Sequence, residues 1–225
     1  PLDNGAEEEP VMSRTSDKSC IIFLSLVVLL FLTPVSAEVI SIMAANISSG
    51  TQQAYEDPGI RILQGLQPDV VLIQEFTYDS GTLRDLVDTA LGPEYDYYCE
   101  EGNENIPNGV ISRFPILDAG EWSDSEVPDR DFAWAVIDIP GDIDLQVVSI
   151  HLKSSSSSTQ NAQALAIKSY INSYFDPAHY IVVGGDLNVT SRNSAAIQTF
   201  NTFLDPHGHT PVDQYGDDDT NEPRN

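Results

Sequence analysis

The chain has 225 residues and a hydrophobic fraction of 41%, which is enough for one sizeable folded domain with its own core. Its 35 acidic residues outnumber its 10 basic residues, and the formal net charge is −25 at pH 7. This charge argues against a protein that grips long nucleic acid nonspecifically through its phosphates, although a bound cation and a few local basic groups can still accommodate a phosphate.

The first 37 residues are typical of a targeting segment. Arg14 and Lys18 follow Met12, then come an apolar run at 21–32 and small residues up to Ala37. The pattern predicts upstream sequence at 1–11, a secretory signal peptide at 12–37, and a secreted or periplasmic protein. An uncleaved anchor is the alternative, but the apolar run is shorter than the roughly 20 residues that span a bilayer. Signal cleavage would leave no stable membrane anchor and only Cys99, and therefore no internal disulfide.

From residue 38 onward the chain predicts one domain in which strands and helices first alternate. Apolar runs predict strands at 39–45 and 69–74, and helical periodicity predicts helices at 55–66 and 82–91. Strands joined by turns rich in Gly, Pro, Asn and Asp follow, which predicts antiparallel pairing; they lie at 95–99, 109–112, 132–139 and 145–151. The last predicted elements are a helix at 159–174, a strand at 179–184 and a helix at 194–204.

This order predicts an α/β fold with two mixed sheets packed face to face and helices outside. The serine run at 154–158 is either a linker between domains or a mobile loop beside the end of the strand at His151. We favour the loop, because a helix and strand of the same pattern resume directly after it. The segment 213–225 has no apolar periodicity.

Polar residues follow the apolar strands at four places: Asn46, Glu75, His151, and Asp186 with Asn188. Strand ends of this kind can converge on one edge of a layered fold, where clefts form. The carboxylate of Glu75 and the amide oxygen of Asn46 suit a hard cation such as Mg²⁺. Asp186 could orient or deprotonate a water, Asn188 could hold that water or a phosphate, and His151 could donate to the phosphate or the leaving oxygen.

Each of these residues also has an ordinary structural interpretation. A lone His after a strand is more often a packing residue, and Asp or Asn in a Gly-rich loop usually serves the turn. The sequences Asn46-Ile-Ser48 and Asn188-Val-Thr190 are also glycosylation acceptor patterns, and attached glycans would fill the predicted cleft. Glu75 is the exception, because an acid directly after a buried apolar run is poorly explained as a solvated face. We favour the site.

The ordered motifs resemble the endonuclease/exonuclease/phosphatase superfamily, the deoxyribonuclease I-like proteins. They are Asn46, Gln74-Glu75, Ser112-Arg113-x-Pro115-Ile116, His151-Leu152 and Gly185-Asp186-Leu187-Asn188. The resemblance extends from Val39 to about Asp205. Gly-Asp-Leu-Asn and Gln-Glu, each after a buried strand, form a fairly specific pair, whereas either motif alone would be weak. The segment 131–141 is similar to a stretch in secreted bacterial members.

The resemblance implies a four-layer α/β sandwich and hydrolysis of a phosphodiester or phosphomonoester by a metal- and base-activated water. Glu75 and Asn46 would bind Mg²⁺, or Mn²⁺ or Ca²⁺ in its place. Asp186 and Asn188 would position the nucleophile and phosphate, and His151 would stabilise developing charge. The implied substrate is a nucleic acid, a phospholipid or a small phosphodiester. We expect the protein to be a monomer. Arg113 is expected to support its loop.

One expected family segment has no counterpart in the sequence. Family members close with a late Asp-containing strand and a Ser-Asp-His segment, so we expect these to lie beyond Asn225 and the domain at 38–225 to be incomplete and weakly active. His207 and His209 are expected to be loop residues. A noncatalytic calcium-binding or adhesion module is the alternative: Asp217, Asp219 and Asn221 resemble the start of a calcium loop. Glu222, however, stands where that loop needs Gly.

Overall fold

A computed structural model describes residues 39–47, 56–102 and 105–204. The strands are β1 (Ile42–Asn46), β2 (Val70–Gln74), β3 (Asp96–Cys99), β4 (Gly109–Ser112), β5 (Ile116–Trp122), β6 (Phe132–Ile137), β7 (Leu145–His151) and β8 (Tyr180–Asp186). The helices are α1 (Glu56–Leu66), α2 (Leu83–Ala90), α3 (Ser157–Tyr174) and α4 (Ala195–Leu204). The predicted signal peptide with Cys20, the two histidines at 207 and 209, and the acidic segment at 213–225 lie outside these ranges.

Two four-stranded sheets contain all of these strands. The first sheet has the order β1-β2-β4-β3, and the second has the order β5-β6-β7-β8. Each sheet has one parallel pair, β1 with β2 and β7 with β8, and its other pairs are antiparallel. The expected antiparallel pairing of the middle segment is confirmed. Both sheets are mixed, as the sequence predicts.

The sheets pack face to face, and helices cover their outer faces. Val70 and Leu72 of the first sheet lie in one core with Ala135 and Val147 of the second. Residues of α1 and α2 share a second core with the other face of the first sheet, and α3 and α4 share a third core with the second sheet. Each fully buried Val, Leu or Ile contributes about 1.5–3 kcal/mol. The predicted four-layer α/β class is therefore confirmed.

Two helix starts show how local sequence determines the element boundaries. Thr82 is the N-cap of α2 and forms a capping box with Asp85, so the helix begins one residue after the predicted position. Ser156 caps α3 by accepting from the Thr159 backbone N–H, and the two serines that follow belong to that helix. The serine run therefore begins a helix of the same fold and does not link two domains. In the described part of the chain, no helix is long and apolar enough to cross a membrane.

The sequence prediction missed strand β5. This edge strand contains Asp118 and Gly120, which are depleted in strands, and its register shifts between Ile116 and Asp118. Gly120 has a packing reason, because a Cβ there would lie 2.8 Å from the Trp134 ring. The strand is therefore specified by its neighbour β6, which local propensity does not reveal.

A buried polar network connects the two sheets away from their apolar core. Glu100, which is 7% exposed, accepts a hydrogen bond from the Asp131 backbone N–H at 3.1 Å. Asn108 donates to the Asp131 carbonyl at 2.7 Å. Burial raises the pKa of Glu100 to about 8, although hydrogen bonds from Asn108 and Asp131 oppose that shift. The neighbouring Cys99 is half-buried and free, and burial raises its thiol pKa to about 12.

We expect Glu100→Gln to stabilise the fold at alkaline pH and to have little effect at pH 5. The native state keeps the Glu100 proton up to about pH 8, whereas an unfolded chain releases it near pH 4.5, so the parent loses stability across that interval. The amide variant lacks this loss, and its advantage at pH 8.5 should be on the order of a few kcal/mol. Urea unfolding at both pH values measures the difference. The same change at exposed Glu101 is the control, and an equal response of both variants would contradict the prediction.

Candidate active site

The polar residues predicted to form a site lie at one edge, where both parallel strand pairs end. Asn46 is aligned with Gln74 in the first sheet, and His151 is aligned with Asp186 in the second. The sequence pattern predicted Asn46 and Asp186 directly after their strands. In the structure each is the last residue of its strand. Glu75 comes directly after β2.

Strand periodicity places the side chains of Gln74, His151 and Asp186 on the inner side of the sandwich. Leu72 and Val147 line the core between the sheets, and Gln74 and His151 lie an even number of residues further along the same strands. The same alternation relates Val182 to Asp186. The candidate site is therefore the polar end of the core between the sheets.

One buried hydrogen-bond chain joins the two sheets directly beneath this site. The Gln74 amide donates to the Ser149 hydroxyl at 2.9 Å, and that hydroxyl donates to the Ile73 carbonyl at 2.9 Å. Gln74 and Ser149 are almost fully buried. Buried polar groups favour the one arrangement that satisfies them, so these bonds fix the position of β2 against β7.

The side chain of Asn46 brings the two carboxylates together. Its Nδ2 atom donates to Glu75 Oε1 at 3.2 Å and to Asp186 Oδ2 at 3.1 Å. Glu75 adopts a left-handed backbone with φ 53°, and the next residue, Phe76, donates to the Pro107 carbonyl at 2.8 Å. This turn is uncommon for a residue other than glycine and takes the Glu75 carboxylate out of the strand direction.

His151 lies beside Asp186 and is 5% exposed. Its Nε2 is 3.6 Å from Asp186 Oδ2, which is ion-pair distance and longer than a hydrogen bond. Its Nδ1 is buried and neither donates nor accepts a hydrogen bond among the described residues. Burial and the nearby Arg130 lower the pKa of the imidazole, while Asp186 and Glu75 oppose that shift. His151 is therefore neutral at pH 7.

Asn188 supports the loop that follows β8. Its backbone, with φ 52°, donates to Asp186 Oδ1 at 3.0 Å, and its Nδ2 donates to the Leu152 carbonyl at 3.0 Å. The amide nitrogens of both Asn46 and Asn188 are thus engaged within the fold, and a glycan on Asn46 would remove one of its two donated bonds. The structure brings Asn46, Glu75, His151 and Asp186 together, with Asn188 bound to the backbone around them.

Gly185 allows β8 to approach β7 at this point. Its φ is 148°, and a Cβ at this position would lie 1.9 Å from the Ile150 carbonyl oxygen and 2.9 Å from Gln74 Nε2. No side chain fits such a space, and the backbone conformation favours glycine. The glycine before Asp186 in the sequence motif is therefore explained by packing.

Arg113 lies outside the candidate site and supports its loop, as expected. Its guanidinium pairs with Asp69, and its backbone N–H donates to the Asp69 carbonyl at 2.8 Å. Burial alone would raise the pKa of Asp69, but hydrogen bonds from Ser41 and the charge of Arg113 lower it.

Sequence reasoning missed three buried residues around the site. Arg130 is 6% exposed, and its Nε donates to Asp129 Oδ1 at 3.0 Å. Gln160 and Gln163 project from α3 toward the loops that follow β7 and β8. The sequence offered two signals for these residues: a charged residue next to a buried strand, and two glutamines three residues apart on a helix. Each of these patterns is more often a surface feature.

The residues present suit a hard cation that retains water. Two partly buried carboxylates that share one amide donor repel each other, and a cation would relieve that repulsion. The oxygens of Glu75, Asp186 and Asn46 are the ligand type that Mg²⁺ prefers. No cluster of three or more His, Cys, Asp or Glu side chains in the described ranges could hold a metal. Water and substrate oxygens would therefore have to complete the coordination.

Comparisons with known proteins agree with this architecture. Residues 44–222 match the Endonuclease/Exonuclease/phosphatase family. Similar solved structures include TDP2 from Caenorhabditis elegans (TM-score 0.55, 18% identity, covering 67% of this chain and 48% of that chain) and the endonuclease/exonuclease/phosphatase from Bacteroides vulgatus (0.55, 20%, 72% and 69%). Another is the human Nocturnin catalytic domain with bound sulfate anion (0.56, 15%, 73% and 70%). The chain spans about half the length of that TDP2 chain. No curated protein sequence matches.

We expect Gly185→Ala to destabilise the protein by about 3 kcal/mol or more, because its Cβ collides with backbone rather than with a movable side chain. Chemical denaturation followed by circular dichroism measures the change. Gly65→Ala is the matched control: a Cβ there meets nothing within 4 Å, so that helix position should be neutral or stabilised by up to about 1 kcal/mol. Equal stabilities for the two variants would show that β8 does not approach β7 as described.

Proposed function

We propose that this chain, which belongs to the endonuclease/exonuclease/phosphatase family, is a secreted phosphoesterase that depends on a divalent cation. The observation that carries the proposal is the Asn46 amide, which joins the Glu75 and Asp186 carboxylates beside His151. The activity is assigned to the whole protein that carries this sequence. Secretion rests on the signal-like residues 12–37.

Glu75 and the amide oxygen of Asn46 would hold Mg²⁺ or Mn²⁺. When bound, the cation supplies charge stabilisation for a phosphoryl oxygen and lowers the pKa of a bound water. Asp186 lies between Asn46 and His151 and is about one-third exposed, so its carboxylate can orient a water and accept a proton from it. The Asn188 backbone N–H holds the other Asp186 oxygen and so fixes the direction of the carboxylate.

His151 would act as a neutral hydrogen-bond donor. A neutral imidazole carries one N–H, which can donate to a phosphoryl oxygen or to the oxygen of the leaving group. Its burial excludes competing water, and its proximity to Asp186 orients the ring. Arg130 places a buried guanidinium nearby, and although it pairs with Asp129, its charge opposes part of the negative charge of Asp186 and Glu75.

The substrate that fits best is a small phosphodiester. A strongly acidic surface disfavours long duplex nucleic acid, for which affinity comes mainly from phosphate contacts with basic groups. The human Nocturnin catalytic domain, which has a similar fold, carries a bound sulfate anion, and we infer that this chain also accepts an anionic group. We also propose that the protein acts as a monomer.

The purified full-length protein should hydrolyse bis(p-nitrophenyl) phosphate with Mn²⁺ or Mg²⁺ and lose this activity when EDTA removes the cation. Glu75→Gln and Asp186→Asn should each reduce kcat/KM by roughly 100-fold or more, because each removes a charge at the site while retaining side-chain size. The rate of p-nitrophenolate release measures the effect.

Asp142→Asn is the control for these variants. Asp142 is exposed in the turn between β6 and β7, at the other end of those strands, so its loss removes one charge without touching the site. Its rate should equal that of the parent. Activity that survives both site substitutions, or that resists EDTA, would contradict the proposal.

A further inference from the structure

We propose that Gln160 is a positioning residue that sets the geometry between His151 and Asp186. This inference rests on the proposed function, because it concerns the same site. Gln160 belongs to the first turns of α3, close to the carboxyl ends of β7 and β8. It acts through the backbone of the two loops that hold the groups expected to meet substrate.

The single amide group of Gln160 binds both loops. Its Nε2 donates to the Lys153 carbonyl at 2.7 Å and to the Asn188 carbonyl at 2.7 Å. Lys153 lies two residues after His151, and Asn188 lies two residues after Asp186. The two carbonyls belong to irregular backbone with no partner strand beyond them, so this amide replaces the pairing that the parallel strands have just lost.

Gln163 reinforces the same arrangement from the next turn of the helix. Residues three apart lie on one face of a helix, and Gln163 is fully buried. Its Oε1 accepts from the Lys153 backbone N–H at 2.9 Å, and its Nε2 donates to the Asp124 carboxylate. Lys153 is therefore held at both its N–H and its carbonyl by two glutamines of α3.

Further contacts transmit this constraint to the reacting groups. The Leu152 N–H donates to the Asp186 carbonyl at 2.9 Å, and Asn188 Nδ2 donates to the Leu152 carbonyl at 3.0 Å. The Asn188 backbone N–H in turn holds Asp186 Oδ1 at 3.0 Å. Asn188 has a left-handed backbone with φ 52°, a conformation that Asn adopts more readily than most residues, and the hydrogen bond at its carbonyl helps to hold it there.

The structure favours a positioning role over general support of the core. The rest of the buried face of α3 is apolar, with Ala164, Ile167 and Ile171 packed on the second sheet. Only the end of the helix next to the candidate site carries buried amides, and three of their four hydrogen bonds go to the two loops. Small misplacements of catalytic groups are costly, since an error of about 1 Å can reduce a rate by roughly 100-fold.

Two substitutions in the full-length protein test this role. Gln160→Met keeps the length of the side chain and removes both donated bonds, so kcat for bis(p-nitrophenyl) phosphate with saturating Mn²⁺ should fall roughly 10- to 100-fold while KM changes little. Gln160→Glu can donate only when its carboxyl group is protonated. Its kcat relative to the parent should therefore rise as the pH is lowered through the pKa of the new carboxyl, a response that Gln160→Met cannot give.

Gln198→Met is the matched control, because Gln198 is exposed on α4 and donates one bond to the Asn193 carbonyl at 3.1 Å. It should leave kcat and its pH profile unchanged. The inference is overturned if Gln160→Met lowers the melting temperature but retains the parent kcat, or if Gln160→Glu shows the same pH profile as Gln160→Met.

Amide hydrogen exchange separates this inference from the proposed function. In the metal-free protein, the Asn188 N–H should exchange at least roughly 10-fold faster in Gln160→Met than in the parent, while Gln198→Met should match the parent. An inactive parent would overturn the phosphoesterase proposal, and the exchange rates would still decide whether Gln160 holds this loop. Unchanged exchange at Asn188 would overturn the positioning role whatever the activity.

Discussion

The contact between Gln74 and Ser149 is the constraint on which the candidate site depends. Each sheet alone supplies only half of the polar residues, and apolar packing between sheets tolerates sliding more readily than a buried hydrogen bond does. The Gln74 amide, held by the Ser149 hydroxyl, aligns the end of β2 with the end of β7. The strand register then places Asn46 beside Gln74 and Asp186 beside His151, because these residues are aligned in the two parallel strand pairs.

The charged and buried polar groups at this edge lower the stability of the fold, and they are the kinds of group that take part in chemical reactions. Two carboxylates meet at one amide, a buried imidazole is held neutral, and a guanidinium is buried beside it. Two residues other than glycine, Glu75 and Asn188, adopt left-handed backbone conformations at the same place. Such features destabilise a fold unless several surrounding contacts hold them in place, and they concentrate at functional sites.

The sequence predicted the layers and the convergence of polar strand ends, because both follow from local patterns. Apolar runs that end in polar residues can be recognised in the amino-acid sequence, and parallel strand pairing brings such ends together. Strand β5 was not predictable in this way, since Asp118 and Gly120 are tolerated only by pairing with β6. Gln160 was missed because its buried amide binds a loop distant in sequence, which periodicity does not report.

We propose that Glu75, Asn46, Asp186 and His151 surround a single cation position. An anomalous difference map from crystals soaked in millimolar MnCl₂ tests it most directly. We expect one strong manganese peak within coordinating distance of a Glu75 carboxylate oxygen, with Asp186 and Asn46 beside it. A peak elsewhere, for example at the acidic residues 217–222, with none at Glu75, would contradict the claim.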